Sequence, residues 1–174
     1  LGARPPEGME EPDLTDAGGG FVTAVPGAAA IDSAMSFGLI RGGHIDLTVL
    51  GGLQVDERGL LANWMIPGAM VPGMGGAMDL ATGARKVIVA MQHMANGKSK
   101  IVRKCDLPLT SSRPIDLLVT DLAVFEVAQS GLVLKEIAPD VTVGDVETST
   151  EARFEICGDL KRMDENRPAI AEVQ

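Results

Sequence analysis

The feature that most constrains this chain is an eighteen-residue stretch, 63–80, that holds four glycines and two prolines. Proline fixes φ and removes an N–H donor, and glycine frees φ, so the stretch predicts a shaped loop. It ends at Gly75 and Gly76, and Ala77 begins a predicted helix. Backbone N–H groups at such a turn favour an anion or a developing oxyanion, with Gly76 as donor and Gly75 allowing close approach. A tight turn that lets a helix pack against a strand would explain these glycines equally well.

Short apolar segments on both sides of this loop favour an α/β fold. The predicted strands are 21–25, 45–50, 86–91, 101–102, 117–119, 122–127 and 132–137, and the predicted helices are 30–40, 76–84 and 142–150. A strand, a helix and a strand joined by glycine turns at the start indicate a βαβ unit, and hence an open, mostly parallel sheet flanked by helices. The apolar run 86–91 is typical of a strand buried on both faces. Residues 129–131 predict a C-terminal antiparallel hairpin.

Length and composition predict one domain over residues 1–158 and a flexible tail over 159–174. Aromatic residues make up only 3% of the chain, so the core must be built from aliphatic side chains. The net charge of −9 argues against nonspecific binding to nucleic acid, whose phosphates require clustered Lys or Arg. The two cysteines are far apart, so neither a disulfide nor a metal site is expected. We also expect no membrane span and no signal peptide, and therefore a cytoplasmic protein.

Further candidate site residues follow the predicted strands. Gly27, Gly51 and Gly52 come at strand ends, where ligands bind in open α/β sheets. Gln54 and Asn63 are polar side chains in loops rich in glycine, where they can bind a substrate carbonyl or amide. Ordinary turn glycines and side chains that cap loop backbone groups are the alternatives, and the residues alone do not separate the two interpretations.

Several motifs, met in order along nearly the whole chain, resemble one known family. They are the runs at 25–28, 36–44, 49–55, 61–68, 73–80, 107–110 and 150–154, among them Gly73-Met74-Gly75-Gly76-Ala77-Met78-Asp79-Leu80. The pattern is similar to the beta subunit of family I coenzyme A transferases. The acetate or butyrate–acetoacetate and the succinyl–3-oxoacid enzymes are the most similar in pattern.

The resemblance implies a NagB/RpiA/CoA transferase-like fold and an alpha-subunit partner, usually in a heterotetramer. Members move coenzyme A between short-chain carboxylic acids or 3-oxoacids, with acyl-CoA as substrate and no permanently bound cofactor. The reaction is ping-pong and passes through a glutamyl-CoA thioester. The glycine turn of Gly75, Gly76 and Ala77 would bind the oxyanion and thioester. The other candidates would line the substrate or coenzyme A pocket.

One departure from the family pattern concerns the nucleophile. The family glutamate sits in a Ser-Glu-Asn-Gly motif, and Leu1-Gly2 is similar to the end of that segment, so the glutamate is expected upstream of Leu1. Neither Glu7 nor Glu10 occupies the motif, and residues 1–174 are expected to be inactive alone. Rival interpretations are a non-catalytic partner subunit, an acyl-CoA hydrolase, and a sugar-phosphate isomerase. The last needs a Lys and an acid pair in its glycine loops, which residues 70–80 lack.

Overall fold

The computed structural model describes residues 1–16, 18–68 and 74–163. By its internal contacts the chain divides into two compact units, Leu1–Gly38 and Leu39–Gln174. None of the helices within the described ranges is long and apolar enough to cross a membrane.

The first unit is built mostly from turns, and the strand predicted at 21–25 is wrong. Phe21 pairs with Thr15 in an isolated bridge, and the residues that follow form no strand. Between the two bridge residues, the carboxylate of Asp16 accepts the backbone amides of Gly18 and Gly20 at 2.8 and 2.9 Å. A β-branched run becomes a strand only when a neighbour offers a continuous ladder, and one bridge does not supply it.

Helix α1 (Ser33–Arg41) begins later than the predicted 30–40. The side chain of Asp32 accepts the amide of Met35 at 2.8 Å, as an N-cap residue does. An N-cap residue is itself non-helical, and this fixes the first helical residue at Ser33.

The described part of the second unit contains two further helices and eleven strands. The helices are α2 (Ala77–Gly83) and α3 (Val143–Ser149), which confirm the helices predicted at 76–84 and 142–150. The strands are β1 (Leu47–Leu50), β2 (Gln54–Asp56), β3 (Leu61–Ala62), β4 (Lys86–Ala90), β5 (Met94–Ala95), β6 (Lys98–Ser99), β7 (Ile101–Val102), β8 (Leu117–Val119), β9 (Ala123–Ala128), β10 (Gly131–Ile137) and β11 (Phe154–Arg162).

Six strands form one sheet in the order β1-β4-β8-β9-β10-β11. β1, β4 and β8 are parallel, β9 runs antiparallel to both of its neighbours, and β11 is parallel to β10. These pairings confirm the α/β class, the mostly parallel sheet and the hairpin at 129–131. The carboxyl ends of β1 and β4 lie at the same edge, where they are followed by Gly51 and Met91.

Two predictions are wrong, one about the crossover helix and one about the start of the C-terminal tail. The helix that crosses over between the parallel strands β1 and β4 is α2 and not α1, because no strand precedes α1. On the way, β2 and β3 leave the main sheet and pair with β7 in a three-stranded sheet. Residues 159–162 also belong to a strand and not to a tail, because β11 pairs with β10 as far as Arg162. Residues 164–174 lie outside the described residues.

The core lies on one face of the six-stranded sheet. Val87, Val89, Leu118, Phe125 and Leu134 are each at most 1% exposed. Since these side chains alternate with outward-facing ones along four adjacent strands, they cover a single face. The expectation of an aliphatic core holds, with one buried phenylalanine at its centre.

The opposite face of the parallel strands is apolar and only partly covered. Leu47 and Val49 are 49% and 59% exposed, and Ile88, beside Val49 in the neighbouring strand, is half-buried. The prediction that 86–91 is buried on both faces is therefore wrong for the residues that the structure describes. β4 alternates between buried and more exposed positions instead.

The turn between β2 and β3 is held by Asp56, which is 1% exposed. Its Oδ1 accepts the amides of Arg58 and Leu60, both at 3.0 Å. We expect Asp56→Ala to lower the free energy of unfolding by about 2 kcal/mol, because a buried amide left without an acceptor costs about 1–3 kcal/mol. Asp56→Asn keeps the acceptor and is expected to cost less than about 1 kcal/mol. Urea unfolding measures both losses, and equal losses would show that the charge, and not the hydrogen bonds, stabilises the turn.

Candidate functional site

Helix α2 begins directly after the two glycines that the sequence singled out. Gly75 has a φ of +51°, in the left-handed region that favours glycine, and Gly76 is the N-cap, with no side chain capping the helix. The Ala77 N–H donates to the Met74 carbonyl at 3.3 Å. The Gly76 N–H, in contrast, has no hydrogen-bond partner among the described residues. Within the described part of the loop the predicted donor is therefore unpaired, and residues 69–73 lie outside the described ranges.

Both ends of α2 are fixed against the end of α1. At the first turn, Asp79 Oδ1 accepts a hydrogen bond from Arg41 Nε at 2.7 Å. This guanidinium binds the charged carboxylate and so holds the pKa of Asp79 below its ordinary value. At the other end, Gly83 leaves room for the Ile40 carbonyl, which a Cβ there would strike. The position of the Gly76 amide is thus set by a helix that is anchored twice.

Gly51 and Gly52 follow β1 at the carboxyl edge of the sheet. A Cβ on Gly52 would lie 2.8 Å from Met91 Sδ and 3.0 Å from Val89 Cγ1, so this turn packs too closely for a side chain. The Gly51 carbonyl accepts a hydrogen bond from Asn63 Nδ2 at 3.1 Å. Two predicted site residues are therefore in direct contact.

Asn63 and Gln54 both bind the segment 106–110. The Thr110 hydroxyl donates to Asn63 Oδ1 at 2.7 Å and accepts the Asn63 backbone N–H at 3.1 Å. Gln54 Oε1 accepts the first two amides of the segment, both at 3.2 Å. These contacts match the loop-capping alternative for both side chains. Sequence reasoning missed Thr110, whose only signal was its place in the run 107–110 of the family resemblance.

The predicted residues do not all come together. Gln54 lines an open groove of about 670 Å³ whose cationic side chains are Lys98 and Lys104. Asn63 and the glycines at the start of α2 are not among the residues that line this groove. Gly27, with a φ of +87°, belongs to the first unit. What the structure does unite is the β1 turn, Asn63 and the segment 106–110.

Cys105 and the buried histidine are poor nucleophiles. Cys105 and Cys157 are free thiols, and burial raises the pKa of Cys105 to about 12, so this thiol stays protonated near neutral pH. His93 is fully buried, with one ring nitrogen 2.9 Å from the Thr120 hydroxyl and the other 2.9 Å from the Thr150 hydroxyl. Burial lowers the pKa of His93, so the imidazole is neutral at pH 7. Both hydroxyl contacts give this ring a structural role.

The model of one protein family, described as coenzyme A transferase, matches residues 1–149. The chain belongs to the coenzyme A transferase family. The beta subunit of the acetate CoA-transferase of Escherichia coli K12 is 59% identical over 150 residues, which cover 86% of this chain and 69% of that protein. A succinyl-CoA:3-ketoacid coenzyme A transferase subunit of Helicobacter pylori is 50% identical over 157 residues, which cover 90% of this chain and 76% of that protein.

Solved structures of coenzyme A transferases share the fold. The apoenzyme of the acyl-CoA transferase YdiF from Escherichia coli O157:H7 is 26% identical with a TM-score of 0.71, over 83% of this chain and 33% of that chain. A thioester complex of YdiF with CoA is 26% identical with a TM-score of 0.68, over 78% and 31%. The chain thus spans about a third of the YdiF chain. The predicted transferase fold and the kinship with beta subunits are confirmed.

Proposed function

We propose that residues 1–174 form part of the beta subunit of a coenzyme A transferase that exchanges coenzyme A between short-chain carboxylic acids or 3-oxoacids such as acetoacetate. The observation that carries this proposal is the identity of 50–59% with subunits of an acetate and a 3-ketoacid transferase, over 86–90% of the chain. An alpha subunit would complete the enzyme, in a hetero-oligomer that we take to be a heterotetramer. Two free thiols suit the reducing cytoplasm as its compartment.

The proposed chemistry uses a glutamate that lies outside residues 1–174. Its carboxylate attacks the acyl-CoA carbonyl, and the CoA thiolate leaves to give a mixed anhydride. The thiolate then attacks the glutamyl carbonyl, which gives the enzyme thioester and releases the original acyl group as a carboxylate. A second carboxylate reverses these steps. Each attack places negative charge on a former carbonyl oxygen, and the open Gly76 N–H is the proposed donor to it.

The remaining candidates would shape the substrate pocket. Gly51 and Gly52 would form its floor at the carboxyl edge of the sheet, where ligands bind in open α/β folds. Asn63 keeps one N–H of Nδ2 without a partner among the described residues, and this N–H suits a substrate carbonyl. Gly27 and Gln54 complete the proposed set; Gly27 belongs to the first unit, and Gln54 lines a separate groove.

The experiment joins the alpha subunit with a full-length beta subunit and measures transfer from acetyl-CoA to acetoacetate. Transfer is expected, and borohydride added after acyl-CoA should trap the glutamyl thioester. Residues 1–174 with the same alpha subunit serve as the matched control and should show no transfer. Release of free coenzyme A without any acceptor dependence would favour the hydrolase instead. A full-length complex that neither transfers nor hydrolyses would leave only the non-catalytic subunit.

A further inference from the structure

Thr110 is buried, with 4% of its surface exposed, and it sits beside a candidate pocket residue. Its backbone N–H donates to the Leu61 carbonyl at 2.7 Å, which fixes Thr110 against β3. Its hydroxyl contacts Asn63 twice, once at the backbone N–H and once at Oδ1. This threonine therefore touches the group through which Asn63 would meet a substrate.

The hydrogen bonds fix which way the Asn63 amide points. The Gly51 carbonyl can only accept, so the Asn63 atom that faces it must be the donor Nδ2. Oδ1 then faces Thr110, whose hydroxyl accepts the Asn63 backbone N–H and so directs its own proton to Oδ1. One N–H of Nδ2 donates to the Gly51 carbonyl, and the direction of the second N–H is thereby fixed.

We propose that Thr110 is a positioning residue, which holds the Asn63 amide so that its second Nδ2 N–H is aimed for a substrate carbonyl. The inference rests on the proposed function, because it assigns that N–H to the acyl-CoA pocket. Without the hydroxyl, the amide loses the partner of Oδ1 and can rotate about its terminal bond, whose torsional preference is broad. Rotation of the amide would break the hydrogen bond to the Gly51 carbonyl and would also change the direction of the free N–H.

The test compares Thr110→Val, which keeps the shape and removes the hydroxyl, with Thr110→Ser, which keeps the hydroxyl. In the full-length complex, Thr110→Val is expected to raise the KM for acyl-CoA about tenfold, the worth of one hydrogen bond, with a smaller change in kcat. Thr110→Ser should restore most of the affinity. In an Asn63→Ala background, Thr110→Val should change KM no further, although it still lowers the free energy of unfolding. An equal rise in KM in both backgrounds would mean that Thr110 does not act through Asn63.

A structure of the Thr110→Val complex decides the positioning step whether or not transfer is observed. The Asn63 amide should turn away from the Gly51 carbonyl in this variant. An amide that keeps its place, or a KM that stays within twofold of the starting protein, overturns the inference. A wild-type complex that fails to transfer coenzyme A counts against the proposed function instead, and the orientation of the amide still tests Thr110.

Discussion

Replacing Gly76 with proline is expected to lower the kcat of the assembled transferase by about 100-fold or more. Proline removes the one N–H that we assign to the oxyanion, and its φ of about −65° is close to the −87° that Gly76 already adopts. Loss of one oxyanion donor in other acyl-transfer enzymes raises the barrier by about 3 kcal/mol. Steady-state transfer from acetyl-CoA to acetoacetate measures the effect.

Ala77 offers the matched control at the next residue. Its N–H already donates to the Met74 carbonyl, and a proline there disfavours the ψ of 3° that Gly76 adopts. Ala77→Pro therefore disturbs the same turn but leaves the Gly76 N–H in place, so it should lower kcat by less than about tenfold. Gly76→Ala keeps the N–H and should retain most of the rate. Equal losses in the two proline variants would mean that the loop conformation, and not the Gly76 amide, supports the reaction.

Replacing His93 with leucine is expected to lower the free energy of unfolding at pH 7.5 by about 3 kcal/mol. The imidazole is fully buried and bridges the Thr120 and Thr150 hydroxyls, which join the end of β8 to the segment after α3. Leucine fills much of the volume but offers no hydrogen bond, so the half-buried Thr150 hydroxyl loses its ring partner. Urea unfolding of the two chains measures the difference.

The same imidazole makes the stability depend on pH. Burial lowers the pKa of His93 in the fold below its ordinary 6.5, although Asp121 works in the opposite direction. As the pH falls below 6.5, the imidazole becomes protonated in the unfolded chain before it does in the folded chain. The contribution of His93 to the free energy of unfolding is therefore complete above pH 6.5 and decreases as the pH falls from 6.5 to the pKa of the folded state. Leucine has no proton to bind, and the advantage of the natural chain over His93→Leu should shrink at pH 5.

The chain's other histidine, His44, provides the control for this comparison, since its side chain is exposed. His44→Leu should change the free energy of unfolding by less than about 0.5 kcal/mol at either pH. If the difference between the natural chain and His93→Leu is the same at pH 7.5 and pH 5, then His93 is not kept neutral by the fold.

Local chemistry made the glycine turn and its helix predictable. The need of Gly75 for a positive φ, and the start of α2 directly after Gly76, follow from residues next to one another in sequence. The central strands were predictable for a similar reason, because an apolar run between turn residues marks a strand wherever it pairs.

Pairing between segments that are distant in the sequence could not be predicted from local patterns. The run 21–25 has the composition of a strand but only one bridge, whereas residues 159–162, three of which are charged, belong to a strand because β10 is beside them. The contact that orients Asn63 joins it to Thr110, 47 residues further along the chain. No local pattern marks such a pair, so the predicted pocket contained Asn63 without the residue that directs it.

The uncovered side chains of Leu47 and Val49 affect how the chain behaves when it is produced alone. Burying apolar surface stabilises a protein by about 25 cal/mol per square ångström. An exposed apolar stripe along an edge strand therefore favours association with other chains. When the chain is expressed alone, its molecules are expected to self-associate or to bind chaperones. Co-expression with the remainder of the enzyme is therefore the sounder route to a well-behaved sample.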